Sequence, residues 1–153
     1  MRNVRSLLLA VVALTATSIA LPACADTAPV HTGLIGNVGV GGYDPVAYFT
    51  ENRAVRGTTQ HRIMHQGVEY RFSSAANLAA FRATPARYLP QYGGYCAWAV
   101  ANGYTAPGSP QHWRIVNGRL FLNYNGDVQR QWEANRDNLI RQSDMNWPSV
   151  LRR

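Results

Sequence analysis

Two stretches of the chain alternate apolar and polar positions about a two-residue turn, the pattern of a β-hairpin. In the first, residues 57–65 and 68–72 flank Gln66-Gly67. Counting back from that turn sets Ile63 opposite Tyr70 and His61 opposite Phe72, so His61, Ile63 and His65 share an apolar, inward face with Val68 and Tyr70. The same count sets Arg62 against Arg71, an unfavourable pair unless Glu69 lies diagonally between them. A three-residue loop, which turns His61 outward, is the alternative register. In the second stretch Asn117-Gly118 is a strong type I′ signal, and the implied register pairs Ile115 with Leu120 and Trp113 with Leu122 on one buried face.

Helical spacing fills the rest. Asp44 can cap a short turn with Pro45 at its first position. Ser73 or Ser74 caps a helix over 74–82 that carries Leu78 and Phe81 on one face. Thr84-Pro85 restarts a turn bearing Arg87 and Tyr88. Gly93-Gly94 breaks the chain before a helix over about 94–102 that holds Cys96 and ends at Asn102-Gly103. Val128, Trp132, Leu139 and Ile140 fit one or two helices over 127–146, stopped by Pro148. The predicted fold is a single α+β domain: two short hairpins forming an antiparallel sheet, packed by short helices.

The N-terminal pattern adds an address. Arg2 and Arg5, an apolar run from Leu7 to Leu21 and the small residues Ala23-Cys24-Ala25 have the order of a secretory signal over residues 1–25. Cleavage after Ala25 and lipidation at Cys24 are competing outcomes, and only the second ties the chain to a membrane. Either way the expected location is periplasmic or secreted. Residues 26–38, with Gly33 and Gly36, read as a flexible lead-in, and 39–151 as the domain. Every one of the 15 basic residues is Arg, against 8 acids, but they are scattered rather than striped, so a nucleic-acid partner is not expected. With Cys24 removed or modified, Cys96 is the sole thiol left, and an intramolecular disulfide is ruled out.

Read together, YDPVAYF, the hairpin ending in EYRFSSAANLAAF, and ATPARY resemble the YHS domain. The added QYGGYCAWAV and NWP segments are similar to its exported bacterial branch, and the match spans about residues 38–151. The resemblance implies a small treble-clef-like or zinc-ribbon-like module of the kind found in copper and heavy-metal handling proteins. The cysteines it implies fall here on Ala47, Ser73 and Asn77, so that thiolate cluster is missing.

The remaining soft donors are Cys96, the His61, Met64 and His65 group, His112 and Met145. Cu(I) accepts Cys, His and Met at low coordination number, which makes copper the favoured metal and zinc the lesser one. On a straight strand His61 and His65 lie about 13 Å apart, so Cys96 with one histidine is the better pair. Tyr92, Tyr95, Trp98 and Tyr104, with Tyr88, are a second candidate: an aromatic pocket for a small ligand or a protein partner, in which Cys96 only packs. Catalysis is not expected: Cys96 as nucleophile with His61 as base lacks a third orienting group and an oxyanion donor set, and no pair of carboxylates is placed for acid–base work; a thiol-dependent enzyme is the remaining alternative. His31 and His112 are expected to be solvated.

Overall fold

The computed structural model describes residues 26–33 and 36–152. The predicted signal, its cleavage site and Cys24 lie outside them. The elements run α1 (Ala47–Thr50), β1 (Thr58–His65), β2 (Val68–Phe72), α2 (Ala75–Ala83), α3 (Pro85–Tyr88), α4 (Ala97–Ala101), β3 (Ser109–Val116), β4 (Arg119–Asn123), α5 (Gly126–Ala134) and α6 (Arg136–Val150). Short 3-10 turns occupy Val40–Gly42 and Gln91–Gly94. The architecture is α+β, but the two hairpins form two separate two-stranded sheets instead of one.

Both hairpins close on turns in which the central residues take positive φ, Gln66 and Gly67 in one, Asn117 and Gly118 in the other, as a type I′ turn requires. Ile63 pairs with Tyr70, and Trp113 and Ile115 pair with Leu122 and Leu120. Arg62 does face Arg71, and Glu69 accepts from both, at 3.2 and 2.7 Å, which removes the like-charge penalty. One pairing is corrected: Thr58, not His61, lies opposite Phe72, because β1 bulges between Thr58 and Arg62. The alternation survives the bulge, and His61, Ile63 and His65 remain on the half-buried face while Met64 is 60 % exposed on the other.

Ser74 caps α2 by accepting from Asn77 N, and Asn125 caps α5 by accepting from Val128 N. The first helix begins at Ala47, two residues after Pro45. Cys96 stands at the N-cap of α4 rather than inside it. The C-terminal segment is two helices, and α6 continues past Pro148 to Val150.

Strand β4 separates two cores. Leu120 and Leu122 enter one with Val46, Tyr48, Tyr70, Phe72 and Phe81, while Phe121 enters the other with Tyr92, Val100, Trp132 and Val150. Burial on both faces explains why β4 reads as a continuous apolar run. The described part of the lead-in is held against the second core: Thr27 N donates to Leu151 O, His31 N to Gly93 O, and Tyr95 Oη to Ala28 O. Gly93 permits this approach, since a Cβ there would sit 2.0 Å from Pro29 O. His31 is half-buried, its ring 5.3 Å from that of Tyr95, and not solvated as the sequence suggested.

The chain folds as two copies of one plan. At one constant spacing, β1, β2, the cap Ser74 and α2 recur as β3, β4, Asn125 and α5. One residue further on, Val40, Gly41 and Gly42, with φ of 53, 57 and 79°, recur as Tyr92, Gly93 and Gly94, with φ of 54, 59 and 83°. Positive φ at both Val40 and Tyr92 opposes the ordinary preference of L-residues, so its repetition marks the same backbone device used twice. Phe81 and Trp132, each fully buried, occupy matching places on α2 and α5. Asp44 N donates to Val55 O in the first copy as Cys96 N does to Ala106 O in the second.

Candidate functional site: a cavity over Cys96

The duplication pairs Asp44 with Cys96, and the two environments differ in a telling way. Asp44 is fully buried and its carboxylate is saturated. Oδ1 accepts from Val46 N at 2.8 Å and Ala47 N at 3.3 Å; Oδ2 accepts from Ser73 N at 2.8 Å, and from Ser73 Oγ and Asn77 Nδ2 at 2.7 Å each. The cap expected from sequence is therefore also the tie between α1, β2 and α2. Ser73 and Asn77 thus converge on one oxygen of this carboxylate.

At the matching place Cys96 is 1 % exposed, and the backbone N–H groups of Ala99, Tyr124 and Trp98 face its sulfur. These are the counterparts of the Ala47, Ser73 and Val46 donors. Burial pushes the Cys96 thiol up from its ordinary value, and the three N–H groups pull the other way. Sγ lies 3.8 Å from Asn123 Oδ1, which also accepts from Trp98 N at 3.3 Å. Asn123 is fully buried, and its Nδ2 has no partner.

Over the sulfur, where the first copy packs Ser73 and Asn77 onto Asp44, the second copy is open. A cavity of about 230 Å³ is lined by Cys96, Trp98, Ala99, Tyr104, Ala106, Tyr124 and Val128. Its surface is mainly apolar, with Tyr104 and Tyr124 about half exposed at the rim and the Trp98 and Tyr104 rings edge to face at 6.4 Å. Val128 replaces Asn77 and Tyr124 replaces Ser73, so the groups that would fill the space with hydrogen bonds are gone.

Trp98 and Tyr104, two of the four aromatic residues singled out in the sequence, line this cavity with Cys96. Tyr92 and Tyr95 do not join them. The Tyr92 ring packs against Phe121 and Trp147 and its hydroxyl donates to Asp144 Oδ1 at 2.7 Å, which raises its pKa beyond what burial alone does. Tyr95 lies beside His31 and Trp147. The missed lining residues are Ala106, Tyr124 and Val128. Their signal was the repeat itself: Gly-Gly-Tyr stands at 41–43 and again at 93–95, and the spacing of the two hairpin turns, Gln66-Gly67 and Asn117-Gly118, aligns Ser73 and Asn77 with Tyr124 and Val128.

The metal candidates sit elsewhere. His65 meets Phe81 edge-on at 5.7 Å and Tyr70 at 6.4 Å, in the first copy. His61 and His65 face inward on β1 while Met64 faces out, so one strand turns the three apart. Among the described residues lining the cavity, Cys96 supplies the one soft donor. Among the described residues no group of three or more His, Cys, Asp or Glu gathers to hold a metal ion. Comparisons of the chain with protein-family models, curated proteins and solved structures return no match.

Proposed function

We propose that the mature chain is an exported, non-catalytic binding module of the YHS type, and that it takes a small, apolar, planar ligand in the cavity over Cys96. The observation that carries this reading is the contrast between the two copies: the cradle at Asp44 is filled by the protein's own polar side chains, whereas that at Cys96 opens into an apolar space rimmed by Trp98, Tyr104 and Tyr124. A dry space of about 150 Å³ suffices for benzene, so a single ring fits here. Aromatic walls favour a flat apolar guest through stacking and edge contacts, and the half-exposed tyrosines lose water when it binds. The N-terminal pattern supports a periplasmic or secreted setting. Among the described residues no helix is long and apolar enough to cross a membrane.

Copper held by Cys96 is the second reading, supported by the buried sulfur and the family resemblance. It needs a second soft donor at the cavity. Thermal-shift titration of the reduced mature chain with phenol, beside native mass spectrometry with Cu(I), separates the two. Saturable stabilisation by phenol, abolished in Ala106→Leu and weakened in Tyr104→Ala, is the expected result. Stoichiometric Cu(I) uptake lost in Cys96→Ala, with no response to phenol, overturns the ligand reading and gives the site to the metal.

A further inference from the structure

The repeat allows each copy to be read against the other at the level of single donors. In the first copy the N–H groups of Val46, Ala47 and Ser73 end on two carboxylate oxygens. In the second the matching N–H groups of Trp98, Ala99 and Tyr124 face a sulfur, which is bonded to Cβ as the Asp44 carboxyl carbon is but carries no oxygens. The consequence is visible at Trp98. Its N–H, whose counterpart donates to Asp44 Oδ1 at 2.8 Å, turns instead to the side-chain oxygen of Asn123 at 3.3 Å. Asn123 stands where the first copy has Phe72, so a polar amide has been introduced into an otherwise apolar position beside the sulfur. Its other end, Nδ2, is buried with no acceptor, which is costly for a fully enclosed amide. The site therefore contains an anion cradle without an anion and an orphan donor next to it.

A cysteine sulfinate has the shape and charge of an aspartate side chain, with two oxygens on the atom attached to Cβ. We infer that Cys96 is a site of oxidative modification, converted by a hydroperoxide to a sulfinate that occupies the second cradle as the Asp44 carboxylate occupies the first. In the first step the sulfur electron pair attacks one peroxide oxygen. The O–O bond breaks, an S–O bond forms, and the departing oxygen leaves with the thiol proton as water or alcohol. The sulfenic acid reacts once more in the same way with a second hydroperoxide, giving the sulfinic acid and a second water or alcohol, and it ionises at neutral pH. Each step oxidises the sulfur by two electrons and reduces one peroxide. The sulfinate oxygens then accept from Trp98, Ala99 and Tyr124, which frees the Asn123 amide to turn and present Nδ2. The apolar cavity supplies the path, since Cys96 is part of its lining although the residue is 1 % exposed. None of this depends on an organic ligand occupying the cavity.

The test treats the folded mature chain with hydrogen peroxide and maps oxygen by peptide mass. Met64 and Met145, 60 and 73 % exposed, serve as internal markers of exposure to oxidant. The expected product carries two oxygens on Cys96, a gain of about 32 Da on that peptide. Cys96→Asp, which installs the same anion by mutation, is expected to melt at or above the wild-type temperature. Asp44→Cys, the reverse exchange, is expected to melt well below it. A Cys96 that stays a thiol while Met64 and Met145 become sulfoxides overturns the inference, and so does a Cys96→Asp protein that melts below wild type.

Discussion

Replacing Asp44 by Asn tests the cradle directly, because the change alters one atom and its charge without altering shape. Oδ1 receives two backbone N–H groups and Oδ2 receives three donors. Whichever way the new amide is set, its NH2 faces at least two donors that had an acceptor. Each hydrogen bond to a charged group contributes about 1.5–3 kcal/mol, so losing the smaller set costs about 3–6 kcal/mol, with the donors left buried. Removing the buried charge offsets part of this, and about 3 kcal/mol is the net expectation. Against a domain stability of about 5–15 kcal/mol that is a large fraction. With a urea m-value of about 1–3 kcal/mol/M, the midpoint followed by far-ultraviolet circular dichroism falls by about 1–3 M. A midpoint within about 0.3 M of wild type would refute the reasoning, since it would mean that the five contacts do not hold α1, β2 and α2 together.

The other expectations draw on separate parts of the structure. Gly93→Ala places a Cβ 2.0 Å from Pro29 O at a φ of 59°, so residues 27–31 should detach and their amides should exchange faster with deuterium, while those of β3 and β4 keep their protection. Phe81→Ala and Trp132→Ala, at matching fully buried places, should each cost about 3–5 kcal/mol in denaturant unfolding. Burial holds His31 below its ordinary value, so between that lowered value and about 6.5 the unfolded chain binds a proton that the folded chain resists. Stability therefore falls as pH drops through the ordinary histidine range, and His31→Gln should flatten that part of a melting-temperature profile. The Arg119 guanidinium holds Asp144 below the usual carboxylate value, so its contribution is present above about 3.9 and lost as pH falls toward the lower folded value. Asp144→Asn should remove that acid-side slope.

Local chemistry made much of this fold legible and tertiary convergence hid the rest. Asn117-Gly118 fixes a turn whose geometry dictates the pairing of the next four residues, and Ile115, Leu120, Trp113 and Leu122 fall where counting puts them. Beyond that distance each hairpin bulges, between Thr58 and Arg62 and between Ser109 and Trp113, and counting alone then set His61 rather than Thr58 against Phe72. The Ser74 cap could be read because it needs no partner outside its own turn. The two hairpins looked like one sheet because each has an apolar face, and the alternation does not say whether those faces pack side by side or against different elements. Cys96 was visible as the one remaining thiol, but its neighbours Tyr124 and Val128 come from another hairpin and helix. The duplication is faint in the sequence because the side chains that differ between copies, Asp44 and Cys96, Phe72 and Asn123, Ser73 and Tyr124, are the ones around the site, while the matching features are glycines, turns and caps.

The four tryptophans report on the proposed ligand site at once, because each occupies a different place: Trp98 in the Cys96 cavity, Trp113 against the first core, Trp132 within the second, and Trp147 beside a separate cavity lined by Pro29, Val30 and Leu151. In a proton–nitrogen correlation spectrum of the reduced mature chain titrated with phenol, the Trp98 indole signal should move along a saturable curve while the other three stay in place. A shift of Trp147 with Trp98 unmoved, or no shift at all, would contradict the account.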